Sequence, residues 1–178
     1  LVEQFGVDTL KVLDETPERL RELPGIGRKR AAQILAGWED QKQIKEIMFF
    51  LQSQGVSARL AGKIYKAYGD AAIGVVRANP YQLAADIDGI GFKTADQIAR
   101  QTGIPADSPI RIRAGLLYAL EKLAGEGHCY ALRDQLAAET AEVLHLEPAL
   151  CQAQVQALLD RQDLIQDGDA LYLRSLYA

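Results

Sequence analysis

Two cysteines, two histidines, one methionine and one tryptophan in 178 residues exclude several common ways of building a protein. Cys129 and Cys151 are too few for a disulfide framework and show no Cys-x-x-Cys spacing. With His128 and His145 they stand in unpaired positions, so no metal site is expected and the small apolar cysteines read as core. This usage fits a reducing, cytoplasmic compartment. No apolar run approaches the roughly 18 residues of a membrane span, and no signal peptide is visible. An excess of positive charge is missing too: 20 Lys+Arg stand against 24 Asp+Glu, a formal charge of −4. That balance argues against a protein wrapped in nucleic acid, but the deficit is local. Residues 1–108 hold 14 basic and 14 acidic side chains, whereas residues 109–178 hold 6 and 10. Any contact with DNA is therefore expected from the first part.

What is present is a duplication. Leu23-Pro24-Gly25-Ile26-Gly27-Arg28-Lys29-Arg30 returns as Ile87-Asp88-Gly89-Ile90-Gly91-Phe92-Lys93-Thr94. The likeness extends backwards: Tyr68-Gly69 answers Phe5-Gly6, Val75 answers Val12, Asn79-Pro80 answers Thr16-Pro17 and Leu83 answers Leu20. In each copy an apolar residue leads into Gly-Ile-Gly and a helical pattern follows, with Ala31, Ile34, Leu35 and Trp38 in the first and Ala95, Ile98 and Thr102 in the second. The grammar is helix, tight hairpin, helix, with Thr16 as N-cap and Pro17 at the first helical position of the helix feeding the first hairpin. Glycine-rich backbone and the first free amides of the second helix can converge on one anion, and phosphate fits such a site without base readout.

The two copies differ in charge. Arg28, Lys29 and Arg30 fill the opening turn of a helix, where the macrodipole disfavours cations by roughly 0.3–1 kcal/mol each, so a phosphate partner explains them better than folding does. The second copy has Lys93 beside Asp88 and Asp96. The first hairpin is thus expected to be the stronger clamp and the second mainly a structural echo. The candidate DNA-binding residues are Gly25, Ile26, Gly27, Arg28, Lys29 and Arg30 in the first, and Gly89, Ile90, Gly91, Lys93 and Thr94 in the second. A third, degenerate hairpin with one glycine, Gly55, is expected between them. Ile44, Ile47, Met48 and Leu51 mark its first helix, and Ser57 caps its second, where Arg59, Lys63 and Lys66 share one face and complete the candidate set.

From Pro109 the pattern changes. Ile112, Leu116, Leu120 and Leu123 predict a long helix, His128-Cys129-Tyr130 a short extended piece, and two helices follow at about 132–144 and 149–161. Asp167-Gly168-Asp169 between Leu164-Ile165-Gln166 and Ala170-Leu171-Tyr172-Leu173 is a β-hairpin signal. The fold class expected is mostly α: tandem helix-hairpin-helix repeats over 1–108, then a small winged-helix-like domain over 109–178 with a C-terminal β-hairpin. With little positive charge on its third helix, this last unit reads as a packing module.

Catalytic constellations are missing. Around Lys93, Phe92 and Ile87 stand where a P-loop needs glycine, and Arg30 and Thr94 replace the third glycine of a dinucleotide fingerprint. Leu23-Pro24-Gly25-Ile26-Gly27-Arg28-Lys29 resembles the hairpin of helix-hairpin-helix DNA glycosylases, but where those enzymes place a catalytic Asp this chain has the apolar helical pattern of Ile44 to Phe50. A second resemblance covers nearly the whole chain. Thr9-Leu10, Pro17-Glu18-Arg19-Leu20, Asn79-Pro80-Tyr81-Gln82-Leu83, Gly89-Ile90-Gly91-Phe92-Lys93-Thr94-Ala95-Asp96 and Gly127-His128 resemble the N-terminal region of bacterial RecD-like helicases of the RecD/TraA type. That resemblance implies a superfamily 1 parent moving 5′ to 3′ on single-stranded or forked DNA, of the exodeoxyribonuclease V alpha subunit kind, in DNA repair or recombination. It implies no cofactor in this portion, since ATP and Mg belong to motor domains whose Walker motifs are absent here. It also implies another hairpin upstream, whose trailing helix is Leu1 to Phe5; the lack of an initiator Met likewise reads as a piece of a longer protein. The alternative is a protein interaction or scaffold module that packs on the motor or a partner.

Overall fold

The computed structural model describes Leu1, residues 5–175 and Tyr177. Most of the opening helix expected over Leu1, Val2 and Phe5 lies outside the described residues. The chain then passes through a 3-10 turn, Gly6–Asp8, helix α1, Thr9–Glu15, and a 3-10 stretch, Pro17–Glu22, into the first hairpin and helix α2, Arg28–Ser53. Helix α3, Ala58–Tyr68, a 3-10 turn, Gly69–Ala71, helix α4, Ala72–Ala78, and helix α5, Gln82–Asp86, lead to the second hairpin and helix α6, Phe92–Gln101.

The duplication is present in the backbone angles. Gly6 and Gly69 take φ of 53° and 54°, each opens a three-residue 3-10 turn, and each turn feeds a seven-residue helix. The copies diverge on the approach to the hairpin, where their sequences differ in length. Leu20 and Leu83 are both fully buried, but Leu23 follows by three positions and Ile87 by four. The Leu23 amide accordingly reaches the Leu20 carbonyl, an i to i+3 closure, whereas the Ile87 amide reaches that of Leu83, an i to i+4 closure. One inserted residue thus turns a 3-10 stretch into an α-helical one. The expected N-cap also differs between copies: Thr16 makes no side-chain cap bond, while Asn79 Oδ1 accepts the Tyr81 amide at 3.2 Å.

The largest departure from the sequence reading is α2. The second helix of the first hairpin and the first helix of the expected third hairpin are one continuous helix of 26 residues, about 39 Å long. Nothing between Trp38 and Ile44 stops it, because Glu39-Asp40-Gln41-Lys42-Gln43 carries neither proline nor glycine. These five residues are exposed. They separate an apolar cluster of Leu13, Leu20, Leu23 and Ala31, flanked by Ile34, Leu35 and Trp38, from a second cluster that begins at Ile47 and Leu51. The helix ends with Gly55 N–H on the Gln52 carbonyl and Val56 N–H on that of Leu51, the paired bonds of a Schellman motif. The expected third hairpin is therefore a helix C-cap running straight into the Ser57 N-cap of α3, where Ser57 Oγ accepts the Leu60 amide.

The last unit comprises helix α7, Pro109–Gly125, strand β1, Ala131–Leu132, helix α8, Arg133–Leu144, helix α9, Pro148–Asp160, and strands β2, Leu164–Asp167, and β3, Ala170–Leu173. The sheet is antiparallel in the order β1-β3-β2, and the elements follow in the order helix, strand, helix, helix, hairpin. Its extended piece falls just beyond the His128-Cys129-Tyr130 expected. Leu116, Leu120, Leu136, Val155, Leu158 and Leu171 form one core, which Cys151 joins; Cys129, also expected in a core, is exposed. Among the described residues no helix is long and apolar enough to cross a membrane.

Candidate nucleic-acid interface

Both hairpins are tight turns closed by one hydrogen bond, Ile26 N–H to Leu23 O at 3.2 Å and Ile90 N–H to Ile87 O at 3.1 Å. The third position of each turn needs a positive φ, which Gly25 at 80° and Gly89 at 91° supply without the penalty a Cβ would bring. Gly27 and Gly91 then cap the following helices in nearly the same conformation, φ −80° and −93° with ψ 175° in both, and neither has a heavy atom within 4 Å of where a Cβ would stand. The helical ladders begin only with Ala31 N–H on Gly27 O and Ala95 N–H on Gly91 O. Among the described residues the amides of Gly27, Arg28, Lys29 and Arg30, and of Gly91, Phe92, Lys93 and Thr94, find no acceptor. Two sets of free donors on bare, exposed backbone result, and these can hold an anion.

The two isoleucines serve the turns rather than the surface. Their amides close the hydrogen bonds just described, Ile90 is buried at 3% exposure, and Ile26 packs against the first apolar cluster. Arg28, Lys29 and Arg30 are all exposed and enter no ion pair among the described residues. The opening turn of α2 therefore presents three cations beside its free amides, as the sequence reading expected.

The second hairpin is not as poor in charge as its sequence suggests. Lys63, from the middle of α3, donates to the Asp88 carbonyl at 2.7 Å, and its Nζ lies 3.3 Å from where a Cβ on Gly89 would stand. Asp96 gives its carboxylate to Arg111 through two bonds, 2.8 and 3.0 Å, so its charge beside the hairpin is offset by a partner the sequence does not show. Burial raises the Asp96 pKa, yet the hydrogen bonds from Arg111 and Tyr81 outweigh it and hold the carboxyl below its ordinary value. Arg100, missed in the sequence, stands seven residues after Lys93 and lines with it, Asp96, Gln97 and Gln101 a shallow polar groove along α6. The spacing Lys93, Gln97, Arg100 was legible as one helical face. Of the α3 stripe, Lys63 is brought to the hairpin, whereas Arg59 and Lys66 are exposed on the same helix without an ion pair among the described residues. Gln97 also reaches the α2–α3 corner, where its Nε2 would meet a Cβ on Gly55 at 3.5 Å. Thr94 is half-buried in the first turn of α6.

Comparison with known proteins places this geometry. Residues 1–40 match the model of the SAM-like helix-hairpin-helix tandem. The chain is 25% identical over 174 residues to the ATP-dependent RecD2 DNA helicase of Deinococcus radiodurans, an alignment that covers 97% of this chain and 24% of that protein. The chain therefore spans about a quarter of the length of this curated relative. Residues 40–130, from the exposed middle of α2 to the residue before β1, match the model described as the ATP-dependent RecD2 DNA helicase HHH domain, and the chain belongs to that family.

Proposed function

We propose that this chain is the non-catalytic, N-terminal portion of a DNA helicase and that it holds DNA by its phosphates without reading sequence. The observation that supports this most directly is the repeated site itself: two hairpins of matching backbone angles, each with a run of free amides on exposed glycine backbone and each with cations beside it. Backbone amides and flexible cations recognise phosphate, which every nucleotide carries, and read no base edge. The candidate residues Gly27 to Arg30, Gly91, Lys93 and Thr94 act through their main chain or charge, Gly25, Ile26, Gly89 and Ile90 shape the turns, and Lys63 joins the second hairpin. ATP, Mg and strand translocation belong to motor domains of the same parent chain, in a cytoplasmic setting of DNA repair or recombination.

With about three to four phosphates engaged, Kd is on the order of 10⁻⁴–10⁻⁶ M near physiological salt, and log K falls against log salt with a slope of about −2 to −4. Fluorescence anisotropy of a labelled oligonucleotide at several salt concentrations tests this. Absence of DNA binding at low salt overturns it and favours the scaffold alternative, in which the hairpins dock on the motor or a partner.

A further inference from the structure

Phe92 and Tyr81 take no part in the phosphate sites, yet they build something else. The Phe92 ring, on the first residue of α6, lies stacked between Tyr81, at 5.9 Å between centroids and 19° between planes, and Tyr118 of α7, at 4.7 Å and 16°. The column crosses from the hairpin repeats to the last unit. Tyr81 ends it inside the core, whereas Tyr118 is half-buried and lines an open cleft of about 410 Å³, within the range of small-ligand sites, roughly 300–1,000 Å³. The cleft is lined by Gly91 and Phe92, by Arg113, Tyr118 and Glu121 of α7, and by Arg161 just past the end of α9.

The charges of this cleft select its occupant. Arg161 is tied to Asp163 at 3.0 Å, and Glu121 offsets Arg113, which has no ion pair among the described residues. A free phosphate gains little from such a balance. A flat, uncharged ring with a hydrogen-bonding edge gains both an aromatic face and polar partners. Gly91 decides what that ring is attached to, because it lines the cleft and also contributes a free amide to the second hairpin.

We propose that the cleft receives one unpaired nucleobase of a DNA strand whose adjoining phosphate rests on the second hairpin. The base stacks as the next ring of the column, on Tyr118, with its edge toward Arg113 and Glu121. A base held in a duplex is paired and stacked already and cannot enter, so the cleft favours single-stranded DNA. The proposal rests on the reading of the hairpins as phosphate sites, and it brings into contact with DNA the last unit, which charge distribution alone leaves out.

The test uses the 178-residue chain and three ligands of equal length: a single strand bearing 2-aminopurine, the corresponding duplex, and a fully abasic strand that keeps every phosphate. Base stacking predicts quenched 2-aminopurine fluorescence and affinity for the single strand about tenfold above that for the abasic strand and the duplex. Tyr118→Leu should abolish the quench and weaken single-strand binding about tenfold more than duplex binding, while Tyr118→Phe retains both, with circular dichroism as the folding control. The abasic strand asks the same question without altering the protein. Equal affinity for all three ligands, with a steep salt slope, overturns the base cleft and leaves phosphate binding standing. Absence of binding to any of them overturns both.

Discussion

Arg111 and Asp96 form a two-bonded ion pair, Nε to Oδ1 at 2.8 Å and Nη2 to Oδ2 at 3.0 Å, with the arginine only 4% exposed. The remaining guanidinium nitrogen, Nη1, donates to the carbonyls of Ala106 at 2.8 Å and Leu144 at 3.2 Å, and the Tyr81 hydroxyl donates to Asp96 Oδ1 at 2.7 Å. One side chain thereby ties α6, the loop before α7 and the end of α8 together. Burial first, and then the bond to the Asp96 carboxylate, push the Tyr81 phenol well above its ordinary pKa, which keeps it a donor at all relevant pH.

Asp96→Asn leaves the Arg111 charge buried without its partner and should cost about 3–5 kcal/mol in urea unfolding. The effect depends on pH in a defined direction. Because the folded carboxyl titrates below the ordinary value of 3.8, acid protonates the unfolded state first, so the stabilisation is complete above about pH 4 and is lost as pH falls through the folded value. The stability gap between wild type and Asp96→Asn should be widest near neutrality and shrink below pH 4. A gap independent of pH would show that the ion pair is not its source.

The pair also marks the limit of what the sequence discloses. The repeats, the two glycine hairpins and the closing β-hairpin are local patterns, and the backbone reproduces them, whereas the expected third hairpin is a helix C-cap. Asp96 next to Lys93 looked like a charge that weakens the second hairpin, since its partner lies fifteen residues on and only packing brings the two together. Lys63 reaches the Asp88 carbonyl across 25 residues, for the same reason invisible to spacing. The continuity of α2 was missed because apolar periodicity lapses at Glu39 to Gln43, and a lapse in burial is not a break in the backbone.

Glycines inside helices should separate by what surrounds them. Gly37 lies exposed within α2 with nothing within 4 Å of an added Cβ, so Gly37→Ala should stabilise by about 0.5–1 kcal/mol through helix propensity. Gly115 in α7 is buried, and its added Cβ would lie 2.7 Å from Leu144 Cδ1 and 3.1 Å from Cγ, so Gly115→Ala should destabilise by about 1–3 kcal/mol. Paired thermal melts give the two signs.

Within each hairpin the two glycines have different duties. Gly25→Ala and Gly89→Ala place a side chain at φ of 80° and 91° and should each cost about 1–2 kcal/mol. Gly27→Ala and Gly91→Ala meet ordinary angles and open space, so stability should change by less than about 0.5 kcal/mol. Their DNA affinity should nevertheless fall, because the new methyl stands where a phosphate approaches the amides. Urea unfolding and anisotropy on the same samples separate the two effects, and unchanged binding by both variants would place the phosphates elsewhere.

The two hairpins should weigh more nearly alike than their sequences suggest. Each phosphate contact contributes about 0.7–0.9 to the salt slope. Replacing Arg28, Lys29 and Arg30 together with alanine should flatten it by more than about one unit, and Lys93→Ala alone by less. The Asp88 carbonyl holds Lys63 at the second hairpin, and Arg100 extends its surface along α6, while the Arg111 ion pair offsets much of the charge that Asp96 brings to that groove. Lys63→Ala, Lys93→Ala and Arg100→Ala combined should therefore also flatten the slope by more than about one unit. None of the six side chains belongs to an apolar cluster, so circular dichroism should show both triple variants folded. A second triple that leaves the slope untouched would reduce the second hairpin to a structural echo of the first. A loss on the second triple alone would make it the working clamp, with the three exposed cations at the start of α2 left as solvated surface.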